Sequence, residues 1–221
     1  MLDTIGYMEL ARMLLAAAAH VKAQHETLSQ LDSHGGDGDH GATMVRAMGL
    51  MEKTVAAPAA EDVAALLHDI GWAIMGVDGG ATGPLFGALF MGMSEAAAQV
   101  CPGVGSGRLD APGLARMLES GLAGVQKQTR ARVGDKTMMD ALVPAVEAAR
   151  AAACEGAEIA AVFERAAEAA ASGAASTKTL QARFGRAKNL GERSIGAQDP
   201  GATSVALLFA GLASGLKISE S

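Results

Sequence analysis

The sequence predicts an all-α fold, an eight-helix antiparallel up-and-down barrel or bundle whose chemistry is gathered at one tip. Half of the residues are hydrophobic but only 3% are aromatic. The core must therefore be built from Ala, Leu, Met and Val, residue types that suit closely packed helices better than sheets. Apolar residues also recur at helical spacing, as in Met8, Leu15 and Val21. Clusters of Gly, Pro, Asp and Ser separate these stretches and end the helices.

Helical periodicity divides the chain into eight segments. We predict helices over residues 4–29, 42–55, 60–77, 84–99, 111–129, 136–153, 157–185 and 201–215. No shift in composition divides the chain, and 221 residues are enough for one large core. We therefore interpret residues 1–221 as a single domain.

The loops between these helices fall into two kinds. Short connections make consecutive helices antiparallel, so alternate loops emerge at the same end of a bundle. The odd-numbered loops are rich in glycine and charged groups and span residues 31–41, 78–84, 132–137 and 185–201. The even-numbered loops offer ordinary turn residues and span residues 56–62, 101–112 and 154–158. One end of the bundle is therefore predicted to be functional.

Charge and composition exclude several classes of protein. The net charge of −6 argues against nucleic-acid binding, which needs a basic surface. Cys101 and Cys154 lack the paired spacing of a disulfide framework or a zinc site, which favours reduced thiols. Asp3 and Glu9 stand where a leader peptide carries basic residues, and Arg12 interrupts the apolar run before it reaches membrane-spanning length. We expect a soluble cytoplasmic protein with no membrane partner.

The first odd-numbered loop has the residues of a metal site. Asp32, Asp37 and Asp39 lie among several glycines, which allow the backbone to turn the carboxylates toward one point. Carboxylates about 4 Å apart repel by roughly 4 kcal/mol per pair at an effective dielectric near 20, so the cluster favours a cation. Oxygen ligands suit Mg²⁺, which completes its shell with water and phosphates. An EF-hand is excluded because the twelfth position from Asp37 is Met48; a solvated Gly/Asp turn is the alternative.

The second and fourth odd-numbered loops lead into helices in a way that suits anions. Pro84 follows a glycine-rich turn, so backbone amides there are free to face a phosphate; the Lys-[Ser/Thr] pair of a Walker A loop is absent. Asp199 and Pro200 begin the last helix. A tight turn and simple capping are the alternatives for these two loops. Four basic residues that are candidates to clamp phosphate are Arg183, Arg186, Lys188 and Arg193.

Individual side chains add further candidates. His40 adjoins a predicted helix start and is interpreted as a phosphate or ribose contact. Met44 and Met138 each follow a functional loop and are candidates to face an adenine ring. The other methionines and Trp72 are assigned to the core.

Four segments resemble the nucleotide-binding L subunit, or L domain, of the dihydroxyacetone kinase family. They occur in the family's order and span nearly the whole chain. The matching stretches are LDSHGGDGDHGATM (31–44), GGATGPLFGALFM (79–91), GDKTMMDALVPAVEAAR (134–150) and GRAKNLGERSIGAQDPGATS (185–204).

The resemblance implies an eight-helix barrel that binds ADP or ATP at one tip through two Mg²⁺ held by Asp32, Asp37 and Asp39. It assigns no residue to catalysis beyond these metal and phosphate contacts. Thr43 and Thr129 differ from the Asn and Gly that are common in the family. The implied nucleotide contacts are His40, Gly41, Ala42, Thr43, Ala81, Thr82, Met138, Arg186, Asp199, Pro200 and Gly201.

The activity implied by the resemblance is phosphoryl transfer to a small ketose such as dihydroxyacetone. Family enzymes hold the ketose on a separate K subunit or domain through a hemiaminal to a histidine, so this chain is expected to need a K-type partner. The donor is either exchanging ATP or a phosphohistidine carrier protein that rephosphorylates bound ADP. The alternatives are a nucleotide-loaded regulatory module and the nucleotide domain of a kinase for another substrate, such as an erythrulose-like ketose or a fatty acid.

Overall fold

The computed structural model describes residues 3–57, 61–102 and 107–217. Within these residues the secondary structure is helical, apart from one antiparallel bridge between Ile5 and Leu109. Two 3₁₀ segments, Thr177–Thr179 and Arg186–Ser194, precede the last helix. The α-helices are α1 (Tyr7–Ala23), α2 (His25–Asp32), α3 (His40–Ala56), α4 (Val63–Met75), α5 (Thr82–Val100), α6 (Ala111–Gln128), α7 (Met139–Cys154), α8 (Ile159–Ser176) and α9 (Pro200–Lys217).

Eight of these helices form a closed ring. From α3 to α9 each helix packs against the next, α1 packs against α3, and α9 packs against α1 to close the barrel. The short helix α2 lies against α3 and α9. The predicted all-α up-and-down architecture is confirmed, and α3, α5, α7 and α9 all begin at the same end of the barrel.

Small residues allow the helices to approach closely. A Cβ added at Gly211 of α9 would overlap the backbone of Ala17 in α1, so these two helices meet almost backbone to backbone. Phe86, Phe90 and Phe209 fill the interior and are almost fully buried. Such a core matches the composition, which is rich in small and flexible apolar residues.

The structure contradicts the assignment of Trp72 to the core. Its side chain is 68% exposed. Gly71 turns toward α5, where its Cα faces the carbonyl of Gly87. Because successive helical residues are about 100° apart, the position after Gly71 points away from that interface.

The first predicted helix, 4–29, is two helices in the structure. Ile5 pairs with Leu109 as extended chain, so α1 begins only at Tyr7. The backbone leaves the helical region at Gln24, with φ −106° and ψ 16°, and α2 follows at once. The break redirects the chain and brings the loop after α2 to the barrel tip.

The seventh predicted helix, 157–185, ends at Ser176. Beyond it, the backbone carbonyl of Thr177 accepts a hydrogen bond from Lys136, and its hydroxyl accepts one from the amide of Asp199. These long-range hydrogen bonds hold the chain in a 3₁₀ turn where the sequence pattern continues a helix. The predicted helix 136–153 likewise begins only at Met139.

The third predicted helix is shorter than expected. Its predicted start at residue 60 lies outside the described residues, as do parts of the loops 56–62 and 101–112; α4 begins at Val63, capped by Asp62. In the described part of the chain no helix is long and apolar enough to cross a membrane.

Candidate functional site

The four odd-numbered loops converge on one pocket at the barrel tip. The pocket has a volume of about 340 Å³, within the range of small-molecule sites. The sequence-predicted site residues in its wall are Asp32, Asp37, Asp39, His40, Ala81, Thr82, Met138, Arg186, Asp199, Pro200 and Gly201, together with Thr129. The predicted sorting of loops by end is therefore observed in the structure.

Three carboxylates gather at the mouth of this pocket. Asp32, Asp37 and Asp39 each offer an oxygen, and these oxygens lie within 4.8 Å of one another. The loop is held in this shape because Asp32 Oδ2 accepts hydrogen bonds from the amides of Gly38 (2.9 Å) and His40 (3.4 Å). Gly38 has a φ of +78°, and a Cβ at Gly36 would overlap the Asp32 carboxylate, so both positions need glycine.

Arg186 pairs with the acidic cluster. Its guanidinium forms an ion pair with Asp37 Oδ2, which lowers the pKa of Asp37 and raises the pKa of Arg186. The sequence predicted a phosphate contact for Arg186 but gave no sign of this pair. Carboxylate oxygens at this spacing fit a hard divalent cation such as Mg²⁺, and the positive Arg186 occupies one flank of the same cluster.

Two helices begin at the pocket without side-chain caps. The N-cap residues of α3 and α5, Asp39 and Ala81, make no side-chain cap hydrogen bond, and the His40 amide of α3 has one long contact, 3.4 Å to Asp32 Oδ2. At the opposite end of the barrel, Asp62 and Asp110 cap α4 and α6 through the amides of Ala65 and Gly113. Uncapped amides and the positive end of the helix dipole favour an anion, so the pocket suits phosphate groups.

His40 is committed to contacts within the protein. Its Nε2 lies 2.8 Å from Ser204 Oγ, and its Nδ1 lies 3.3 Å from Thr82 Oγ1. Burial lowers the pKa of His40, which keeps the ring neutral at neutral pH. His40 therefore connects the starts of α3 and α5 to α9, an arrangement that the sequence did not indicate.

One wall of the pocket is apolar. Met138, only 5% exposed, lines it together with Phe86, Phe184 and Leu190. Met138 and Phe86 are buried and Phe184 and Leu190 are half-buried, and apolar side chains of these types can pack against an aromatic base. Met44, by contrast, is fully buried in the barrel core and does not line the pocket, so only one of the two candidate methionines is placed to face an adenine ring.

Three predicted nucleotide contacts do not line the pocket. Gly41, Ala42 and Thr43 form the first turn of α3 and are absent from the pocket's described lining. Thr43 is buried, and its hydroxyl accepts a hydrogen bond from Arg46. Of these three residues, Gly41 and Ala42 can serve an anion through their backbone amides, whereas the Thr43 amide donates to the carbonyl of Asp39 at 2.9 Å.

A buried charged network below the pocket escaped the sequence analysis. The Lys136 ammonium donates to two backbone carbonyls, and the Asp140 carboxylate accepts from the amides of Gly134 (2.6 Å) and Thr137 (2.8 Å). Asp199 keeps part of its surface open to the pocket, yet desolvation by the surrounding protein raises the pKa of its carboxyl to about 7. The signal in the sequence is the charged segment Asp135–Thr137, which is compatible both with capping of the next helix and with ligand contact.

Taken together, the closed helical barrel and its tip define a class of protein: an all-α domain with a tip pocket suited to an anionic ligand beside a divalent cation. The chain belongs to the DAK2 domain family, whose model matches residues 34–214.

Curated relatives are similar over most of their length. The chain is 41% identical over 190 residues to "PEP-dependent dihydroxyacetone kinase, ADP-binding subunit DhaL" of Escherichia coli (strain K12), covering 86% of this chain and 88% of that protein. It is 37% identical over 189 residues to the ADP-binding subunit DhaL of a PEP-dependent dihydroxyacetone kinase from Listeria innocua, covering 86% of each.

A solved structure shares the fold. The dihydroxyacetone kinase from C. freundii, crystallised in complex with AMP-PNP and Mg²⁺, matches with a TM-score of 0.70 and 26% identity. The match covers 93% of this chain but 33% of the kinase chain, so this chain corresponds to about a third of that enzyme.

Proposed function

We propose that this chain is the ADP- or ATP-binding subunit of a dihydroxyacetone kinase. The observation that carries the proposal is the convergence of three carboxylates beside two uncapped helix starts at one end of the barrel. Relatives named as ADP-binding subunits of such kinases support the choice of nucleotide and ketose.

The acidic cluster is proposed to hold two Mg²⁺. Asp32, Asp37 and Asp39 supply oxygen ligands, and the metals would neutralise charge on the phosphoryl group during transfer. The starts of α3 and α5 direct amides at the phosphates, and Arg186 adds positive charge. Catalysis on this chain is then a matter of positioning and charge neutralisation.

The remaining pocket residues are proposed to bind the nucleoside. Met138 and the apolar wall would hold the adenine, while Ala81 and Thr82 approach the phosphates from the second loop. Asp199, Pro200 and Gly201 form the start of α9 in the pocket wall, where Gly201 lies beside Met138. The first turn of α3 contributes the backbone amides of residues 40–42, since the Thr43 amide donates to the Asp39 carbonyl.

The ketose is proposed to bind on a separate K-type subunit that docks on the barrel tip. Relatives that are named PEP-dependent support a second partner, a phosphohistidine carrier protein that rephosphorylates bound ADP. Adding ATP alone, or phosphoenolpyruvate with the carrier proteins, to the assembled kinase would distinguish the two donors.

The decisive test is turnover with and without the partner. We expect the purified chain with Mg²⁺, ATP and dihydroxyacetone to form no phosphorylated ketose, because the chain supplies the nucleotide but not the ketose site. Adding a K-type subunit, with its carrier proteins where the donor is a phosphoprotein, should start turnover. The K-type subunit alone is the control. If the chain bound nucleotide but none of these mixtures formed phosphorylated ketose, the result would indicate a regulatory module.

Arg186 provides a second test. Arg186→Gln should increase the affinity for Mn²⁺ alone, by up to about five-fold, because an exposed ion pair competing for Asp37 is removed. The same variant should reduce the affinity for Mg·ADP by at least about ten-fold, because a charged phosphate contact is lost. Calorimetry measures both affinities.

The matched control is Arg150→Gln, which removes a surface ion pair with Glu119 on the flank of the barrel. It should leave both affinities unchanged. If Arg186→Gln moved the two affinities in the same direction, the assigned role would be wrong.

A further inference from the structure

Lys136 has an unusual backbone for its residue type. Among the described residues it is the one non-glycine with a positive φ, +60°. The left-handed region is unfavourable for a long side chain, and such strain persists where the surrounding structure enforces it, often at functional sites. Lys136 is also only 5% exposed, and it lies in the wall of the pocket.

The ammonium of Lys136 joins segments that are far apart in sequence. Nζ donates to the carbonyl of Thr177 at 2.5 Å and to the carbonyl of Ala197 at 2.6 Å. The Thr177 hydroxyl in turn accepts a hydrogen bond from the amide of Asp199 at 2.8 Å. Lys136 therefore fastens the turn after α8 and the loop before α9 to the third functional loop.

These contacts show what a lysine supplies at this position. A glycine would relieve the strained φ, and a methionine would fill a similar volume, but neither would reach two carbonyls with a positive donor. Desolvation lowers the pKa of Lys136, and the nearby carboxylates of Asp199 and Asp140 partly oppose this shift. The side chain is thus placed to fix the start of α9, where the Asp199 carboxylate accepts from the amide of Ala202 at 2.7 Å.

We propose that Lys136 is a positioning residue that holds the Asp199–Gly201 turn against the pocket, so that nucleotide affinity depends on it while metal binding by the acidic loop does not. The proposal rests on the proposed nucleotide-binding function. The two parts of the pocket are held in different ways. The acidic loop is held by its own hydrogen bonds from the amides of Gly38 and His40 to Asp32. The start of α9 is held by the contacts of Lys136 and Thr177.

The test compares Lys136→Met, which keeps the strain, with Lys136→Gly, which relieves it. Both remove the ammonium, so both should reduce Mg·ADP affinity by at least about ten-fold. Mn²⁺ affinity without nucleotide should stay within about two-fold of the unaltered chain. Thr177→Val, which removes the acceptor of the Asp199 amide, should reduce nucleotide affinity in the same way. Lys178→Met changes an exposed lysine at the same tip and is the matched control.

Two further readouts distinguish positioning from general stability. In the assembled kinase, the nucleotide concentration needed for half-maximal activity, added as ATP where ATP is the donor or as ADP where the carrier protein is, should rise in the Lys136 variants with kcat retained. A folding defect would instead reduce the active fraction and leave this concentration unchanged. In the ligand-free chain, amide hydrogen exchange of residues 197–202 should accelerate in both Lys136 variants but not in Lys178→Met.

Wild-type nucleotide affinity in Lys136→Gly, or unchanged exchange at residues 197–202, would overturn the positioning role. A parallel loss of Mn²⁺ affinity would also contradict it. If the unaltered chain bound no Mg·ADP, the proposed function would fail, while the exchange measurement would still decide whether Lys136 holds the start of α9.

Discussion

Asp37→Asn is expected to reduce the affinity for Mg·ADP by at least about 30-fold. Mutating the groups that hold a bound metal in place typically costs about 10–100-fold in metal affinity, and the expected factor lies within this range. Asp37 is one of three carboxylates whose oxygens converge within 4.8 Å, and an amide oxygen carries no full charge to offer the metal. Titration calorimetry with ADP, in Mg²⁺ and in excess chelator, measures the effect.

The control for this change is Asp69→Asn, the same substitution on the exposed face of α4 far from the tip. It should leave ADP affinity unaltered, and both variants should melt near the temperature of the original chain. Equal affinity of the unaltered protein for ADP in Mg²⁺ and in chelator would refute the metal-dependent site. Retained affinity in Asp37→Asn would remove this residue from it.

Gly211→Ala is expected to lower the free energy of unfolding by about 3 kcal/mol. The new Cβ would overlap the backbone of Ala17, so α1 and α9 must move apart. Overpacking typically costs about 1–3 kcal/mol, and a clash with backbone belongs at the upper end of this range. For a chain of this size the melting temperature should fall by roughly 6–12 °C. Thermal melts followed by circular dichroism at helical wavelengths measure the shift.

Gly49→Ala in α3 is the matched control. A Cβ at Gly49 meets no described atom within 4 Å, so the change adds helix propensity without a clash. It should stabilise the protein by about 0.5–1 kcal/mol. Similar effects of the two alanines would show that α1 and α9 are not packed as closely as described.

The barrel was predictable because its signals are local. Helical periodicity and turn residues fix the number of long helices, and the number of helices alone assigns alternate loops to opposite ends. The acidic loop was predictable for the same reason, since Asp32, Asp37 and Asp39 lie within eight residues. The structure brings their oxygens together as expected.

The features that escaped prediction depend on contacts between distant segments. The end of α8 at Ser176 is set by Lys136 and Asp199, which lie 41 and 22 residues from Thr177. Tertiary hydrogen bonds of this kind override a local helical pattern. The break at Gln24 likewise follows from the packing of α2 against α3 and α9, which a local sequence pattern does not show.

The site shows the same division between local and distant information. His40 was assigned to the ligand because it begins a helix, but its ring nitrogens face Ser204 and Thr82 from two other helices. The ion pair between Arg186 and Asp37 also joins the last of the four odd-numbered loops to the first. Residue types and spacing indicated the chemistry, whereas the partners of each side chain required the closed barrel.

The exposed position of Trp72 decides which optical signals report on this protein. It is the one tryptophan in the chain, and on the outer flank of α4 its indole is already largely hydrated in the native state. Its fluorescence, already that of a hydrated indole, should therefore change little when the barrel melts or when the pocket fills. A fluorescence assay of either event would need an indole introduced by design at the apolar wall, with Trp72 replaced.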